Sequence, residues 1–93
     1  MKELRGQILD FLKRVYPHTI EELGIISVFY EYYGDKDIRQ SLEYLVDKGY
    51  VAKEKKSHPY RRRKSLNFYK ITAKGIDLLE GTIEDAGIIL EDE

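Results

Sequence analysis

Gly34-Asp35-Lys36-Asp37-Ile38-Arg39-Gln40-Ser41-Leu42-Glu43-Tyr44-Leu45-Val46-Asp47-Lys48-Gly49-Tyr50-Val51 is the stretch on which the fold turns. Ile38, Leu42, Leu45 and Val46 recur at the helical period and make one apolar stripe. Asp35 or Asp37 can cap the start, and Gly49 suits the left-handed cap at the end. The stripe predicts a helix over 35–48. After Gly49 the period changes, and Tyr50-Val51-Ala52-Lys53-Glu54-Lys55-Lys56 reads as a strand.

Toward the N-terminus, Leu4, Ile8, Leu12 and Val15 share one face of a predicted helix from Glu3 to Tyr16. Pro17 ends it, because the residue before proline is pushed out of the helical region. Thr19 and Glu22 have capping-box spacing, which predicts a second helix running to Tyr33 and stopping at Gly34. Leu23, Ile26, Tyr30 and Tyr33 would form its apolar face. Gly24 costs that helix about 1 kcal/mol relative to alanine. The run Ile25-Ile26-Ser27-Val28-Phe29-Tyr30 leaves a strand or a break open there. Only Gly34, with or without Asp35, then separates the second helix from the third. A short glycine turn between two helices is a helix-turn-helix signal.

Toward the C-terminus, Leu66-Asn67-Phe68-Tyr69-Lys70-Ile71-Thr72 reads as a second strand. Residues 57–65, polar and marked by Pro59, form the loop between the strands, so the pair is an antiparallel hairpin with a long tip. Thr72 caps a last short helix from Ala73 to Leu79, and Gly81 can stop it. Residues 81–93 form an acidic tail with Ile83, Ile88, Ile89 and Leu90 among its acids; docking, pairing with another chain and fraying are all open to it.

The chain has 93 residues and a formal net charge of −1, which hides a strong segregation. Residues 1–47 hold six Lys/Arg and nine Asp/Glu; 48–74 hold ten Lys/Arg and the single acid Glu54; 75–93 hold seven acids and no base. The basic middle segment is the expected polyanion contact. The alternative is that the acidic tail folds over it and neutralises it. No cysteine is present, which excludes a disulfide framework and thiolate metal sites. The N-terminal residues lack a signal-peptide apolar region, so a cytoplasmic location is expected. No motif of hydrolases, metalloproteases, phosphate-binding loops or dinucleotide folds occurs, so neither an enzyme nor a cofactor is expected. His18 and His58 stand alone, and the clustered acids lack a calcium-loop pattern, so no metal site is expected.

Two stretches carry a family resemblance. Leu42-Glu43-Tyr44-Leu45-Val46-Asp47-Lys48-Gly49-Tyr50-Val51 resembles the third helix of winged helix-turn-helix proteins entering the wing. Tyr69-Lys70-Ile71-Thr72-Ala73-Lys74-Gly75-Ile76-Asp77-Leu78-Leu79 resembles their return strand and following helix. The stretch from Gly75 to Ile88 is further similar to small prophage-associated winged-helix proteins. The resemblance implies an α+β winged helix-turn-helix domain over residues 1–80: three helices, a two-stranded wing and a short C-terminal helix. It implies a double-stranded DNA-binding protein, a transcriptional regulator acting as a homodimer.

In such a protein, helix 35–48 enters the major groove and wing 53–70 lies on the backbone or in the minor groove. Lys36 projects from the helix, where Arg39 suits guanine and Gln40 suits adenine. Lys53, Lys55, Lys56, Arg61, Arg62, Arg63 and Lys64 suit phosphates, or a narrow minor groove, and Tyr60 can stack on a sugar. Six phosphate contacts would give a log–log salt slope of roughly −5. The helix itself opposes Lys36, Arg39 and Lys48 with Asp35, Asp37, Glu43 and Asp47, which keeps a protein–protein adaptor as the alternative. Only Tyr60 accompanies the basic loop as an inserting residue, so a membrane is not an expected partner. No pattern names a small-molecule effector.

Overall fold

The computed structural model describes residues 1–61 and 63–91. The elements run α1 (Lys2–Arg14), β1 (Ile20–Glu21), α2 (Glu22–Phe29), α3 (Asp35–Asp47), β2 (Val51–Ser57), β3 (Ser65–Ile71) and α4 (Ala73–Leu79). This is a winged helix-turn-helix fold: a helical body with a hairpin extending from it. Leu4, Ile8, Leu12, Ile38, Leu42 and Leu45 are all buried where α1 meets α3. The expected stripes of both helices therefore form the centre of the core.

The sheet has a third strand that the local sequence does not announce. Its order is β1-β3-β2, antiparallel throughout, with Ile20 opposite Tyr69 and Glu21 opposite Phe68. The second helix therefore starts at Glu22 rather than Thr19. The extended backbone of Ile20 and Glu21 is bound to β3, and the cap passes to Glu21, whose carboxylate accepts from the Leu23 amide at 2.8 Å. Helix α2 also stops early, at Phe29. A turn follows in which the Tyr32 and Tyr33 amides both donate to the Phe29 carbonyl. The face it buries is Ile25, Ile26 and Phe29, whereas Leu23 is 60% exposed and Tyr30 is 68% exposed. Gly34 is the extended N-cap of α3, and Asp35 and Asp37 sit in its first turn, where their charge favours the helix dipole.

The corner between α3 and the wing is tightly specified. Gly49 has φ +83°, and the amides of Gly49 and Tyr50 donate to the carbonyls of Val46 and Leu45, a Schellman ending. From the other side the Thr72 hydroxyl donates to the Gly49 carbonyl at 2.6 Å, and also accepts from the Gly75 amide as the cap of α4. One threonine thus ties the start of α4 to the end of α3. Gly75 lies so close to the Tyr50 carbonyl that a side chain would collide with it.

Residues 81–91 dock as a strap across α1 and the α3–β2 corner. Ile88 is buried, and the Ile89 amide donates to the Lys2 carbonyl at 3.1 Å. Gly6 has no room for a Cβ against the Ile89 carbonyl. Arg5 donates to the Gly87 carbonyl at 3.0 Å while its guanidinium lies 3.6 Å from the centre of the Tyr44 ring. Asp85 accepts from the Tyr50 hydroxyl at 2.7 Å and from the Gly87 amide at 2.7 Å, and lies 3.3 Å from Lys48 Nζ.

Candidate nucleic-acid interface

Helix α3 carries Lys36, Arg39 and Gln40 at spacings of three and four residues, which puts them on one exposed face. Arg39 is not bare. Its Nε lies 3.6 Å from Glu22 and its Nη1 lies 3.5 Å from Asp35. Glu43, one of the acids that oppose the helix's bases, is bridged by Lys53 at 3.2 Å, which ties the wing to the helix and offsets the acid locally.

The sheet register sorts the wing lysines. Val51, Lys53 and Lys55 stand opposite Ile71, Tyr69 and Asn67, whereas Glu54 and Lys56 stand opposite Phe68 and Leu66. Side chains alternate across a sheet, so Lys53 and Lys55 project on the α3 side and Lys56 on the other. Lys56 accordingly lies 4.7 Å over the Phe68 ring and 4.0 Å from Glu54. Lys55 is exposed and makes no ion pair among the described residues.

The described residues of the wing tip form a hydrogen-bonded turn. His58 Nδ1 accepts from the amides of Tyr60 and Arg61, both at 3.1 Å. The His58 amide donates to the Lys64 carbonyl and the Lys64 amide to the Arg61 carbonyl. A ring nitrogen here does what an Asp or Asn side chain does in other turns: it gathers successive amides. Tyr60 is 90% exposed at the apex. Arg61, Arg63 and Lys64 are exposed and form no ion pair among the described residues. Arg62 lies outside the described residues.

The helix and wing contributions converge. A depression between the start of α2, α3 and the wing is lined by Glu22, Arg39, His58, Lys64 and Asn67. His58 lies in the wing turn, and Glu22 and Tyr69 are the parts of this site not read as such from the sequence. The capping-box spacing had assigned Glu22 to a different task. In fact its Oε1 accepts from the Tyr69 hydroxyl at 2.8 Å. Burial, then that hydrogen bond, push the Tyr69 phenol far above its ordinary range, so it stays a donor.

The described part of the tail lies elsewhere. Among the described residues, no tail carboxylate pairs with Arg61, Arg63 or Lys64; Asp85 is taken up by Tyr50 and Lys48, and Glu91 accepts from Gln7 at 3.0 Å. The hydrogen bonds from Tyr50 and the Gly87 amide hold the Asp85 carboxyl below its ordinary range. The same bond, with burial, pushes the Tyr50 phenol up to about 12. Among the described residues no helix is long and apolar enough to cross a membrane.

No family model matches the sequence, and no curated protein does. A solved structure does: Bacillus subtilis PadR in complex with operator DNA, at a TM-score of 0.61 and 19% identity. The match covers 94% of this chain and 54% of that one, so this chain spans about half the neighbour's length. The likeness is one of fold, and it extends over nearly the whole chain.

Proposed function

We propose that this protein binds double-stranded DNA and acts as a transcriptional regulator. Helix α3 enters the major groove with Lys36, Arg39 and Gln40 toward base edges, and Lys55, Arg61, Arg62, Arg63 and Lys64 grip the backbone or the minor groove. The observation that carries this reading is the wing tip. Its exposed cations are held by a hydrogen-bonded turn and left without carboxylate partners among the described residues, beside a helix with an outward polar face. Ordering a run of like charges costs free energy, and a polyanion offsets that cost. A neighbour of the same fold captured on operator DNA supports the reading. One module of this size makes few base contacts, so a homodimer on two half-sites is the expected working form.

Fluorescence anisotropy with a labelled duplex at two salt concentrations tests it. The five cations assigned to the backbone (Lys55, Arg61, Arg62, Arg63 and Lys64) predict a log–log slope of about −4 to −5. Absence of salt-dependent binding at low-micromolar protein would remove the reading. A winged-helix adaptor is the second reading. It is favoured by the exposure of Leu23, Val28, Tyr30 and Tyr32, which suit a protein surface better than a phosphate backbone.

A further inference from the structure

The ion pairs around Arg39 are not symmetrical. Asp35 stands one turn before Arg39 on the same helix, 58% exposed, and a pair of that kind is weak and screened. Glu22 comes from a different element and is only 22% exposed. Its other oxygen is fastened by the hydroxyl of Tyr69, whose ring is buried in the core. The chain of contacts runs from β3 through a carboxylate at the start of α2 to the guanidinium on α3.

The contact also selects an edge of the guanidinium. Glu22 forms an ion pair on the Nε side at 3.6 Å, beyond hydrogen-bond reach, and Asp35 accepts a long hydrogen bond from Nη1 at 3.5 Å. A carboxylate on the Nε side favours the orientation in which the Nη1 and Nη2 end turns outward once the Asp35 hydrogen bond is exchanged. That end presents two parallel N–H donors, which match the O6 and N7 acceptors of guanine. A phosphate approaching the same end carries a charge that the two nearby carboxylates repel. A base edge carries none.

We propose that Glu22, anchored by Tyr69, is a specificity-determining positioning residue that holds Arg39 for guanine and withholds its charge from phosphates. The proposal rests on the DNA-binding reading above and adds to it a division of labour. Wing cations supply affinity for any duplex, and Arg39 supplies discrimination.

The test takes one duplex selected from a random pool and one unrelated duplex, with dissociation constants measured across a salt series. Glu22→Gln keeps the shape and an acceptor for Tyr69 but removes the charge. It should tighten binding to the unrelated duplex, steepen the salt slope by about one as Arg39 reaches a phosphate, and lower the preference for guanine at one position. Arg39→Ala should abolish that preference, a loss of about tenfold or more, while leaving the salt slope of the otherwise unaltered chain nearly unchanged. The double variant should return to the slope of Arg39→Ala. Tyr69→Phe keeps the ring, drops the anchor and should shift slope and preference in the direction of Glu22→Gln, so a folding defect in one variant leaves the other to decide.

If the unaltered chain binds duplex and Glu22→Gln changes neither slope nor preference, the positioning role is overturned while the DNA-binding reading stands. A flattened slope with uniformly weaker binding in Arg39→Ala overturns it too, since Arg39 would then already serve a phosphate. If the unaltered chain binds no duplex, both fall together.

Discussion

The wing tip and the C-terminal strap are both crowded with like charges, and the fold treats them in opposite ways. Arg61, Arg63 and Lys64 are exposed, shaped by backbone hydrogen bonds and by His58, and form no ion pair among the described residues. Asp85 of the strap is folded inward onto a hydroxyl, an amide and an ammonium, and its neighbour Ile88 is buried. A carboxylate with three partners is a structural element. Net charge by segment therefore predicts little until each charge is traced to its partner.

The sharpest way to break that contrast is a crossed pair of variants. Replacing Arg61, Arg62, Arg63 and Lys64 together by alanine should weaken duplex binding by about 10²–10³-fold near 0.1 M salt and flatten the salt slope by about three or four. It should leave urea unfolding within about 0.5 kcal/mol of the parent, because Arg61, Arg63 and Lys64 are exposed and form no ion pair among the described residues. If a protein partner bound through the helices keeps its affinity in this variant while duplex binding was never salt-dependent, the adaptor reading takes over.

The strap should show the reverse pattern. Asp85→Ala strands the Tyr50 hydroxyl and the Lys48 ammonium and should cost about 2–3 kcal/mol in urea unfolding, with the salt slope unchanged. The pH dependence has a definite sign. Because the folded carboxyl titrates below its ordinary value of 3.8, its stabilisation is complete above that value and fades as pH falls through it toward the lower folded value. Tyr50 supplies the alkaline counterpart. Its phenol moves from 10.0 to about 12, so its contribution is complete below 10.0 and is lost as pH climbs toward 12. Asp85→Asn should flatten the acid limb of a stability–pH curve, and Tyr50→Phe part of the alkaline limb. An Asp85→Asn curve that overlays the parent would mean that the strap's carboxylate does no structural work.

What the sequence disclosed and what it withheld follow from the range of each interaction. Helices α1, α3 and α4 and the hairpin were legible because Leu4, Ile8, Leu12, Ile38, Leu42 and Leu45 repeat at the helical period, while Gly49 and Thr72 act within a few residues of themselves. Strand β1 was not, because Ile20 and Glu21 become a strand only when Tyr69 and Phe68 arrive beside them. Once that pairing forms, Glu22 is released from the capping box and is free to reach Arg39. The face of α2 was misjudged for a related reason: Leu23 has the right chemistry for a core, but the helix begins two residues later than its cap signal indicates and turns Ile25 and Phe29 inward instead. In the candidate site, the residue types on α3 and the wing were readable, but the allocation of Lys53 to Glu43 and of Lys56 to Phe68 depends on sheet register.

The smallest expected effect concerns how the wing tip holds its shape. His58→Ala removes the acceptor for two amides that solvent can reach, so water replaces it and global stability should move by less than about 0.5 kcal/mol. The tip would then be ordered only at the moment of binding, and that cost should appear as about 3- to 10-fold weaker duplex affinity at an unchanged salt slope. His58→Asn offers a side-chain oxygen two residues before Tyr60, the geometry of an Asx turn, and should restore most of the loss. If His58→Asn and His58→Ala bind equally weakly, the imidazole contributes by contact with the partner. If both bind like the parent, the turn is held by the Lys64–His58 and Arg61–Lys64 backbone bonds alone, and the arm's shape owes nothing to its histidine.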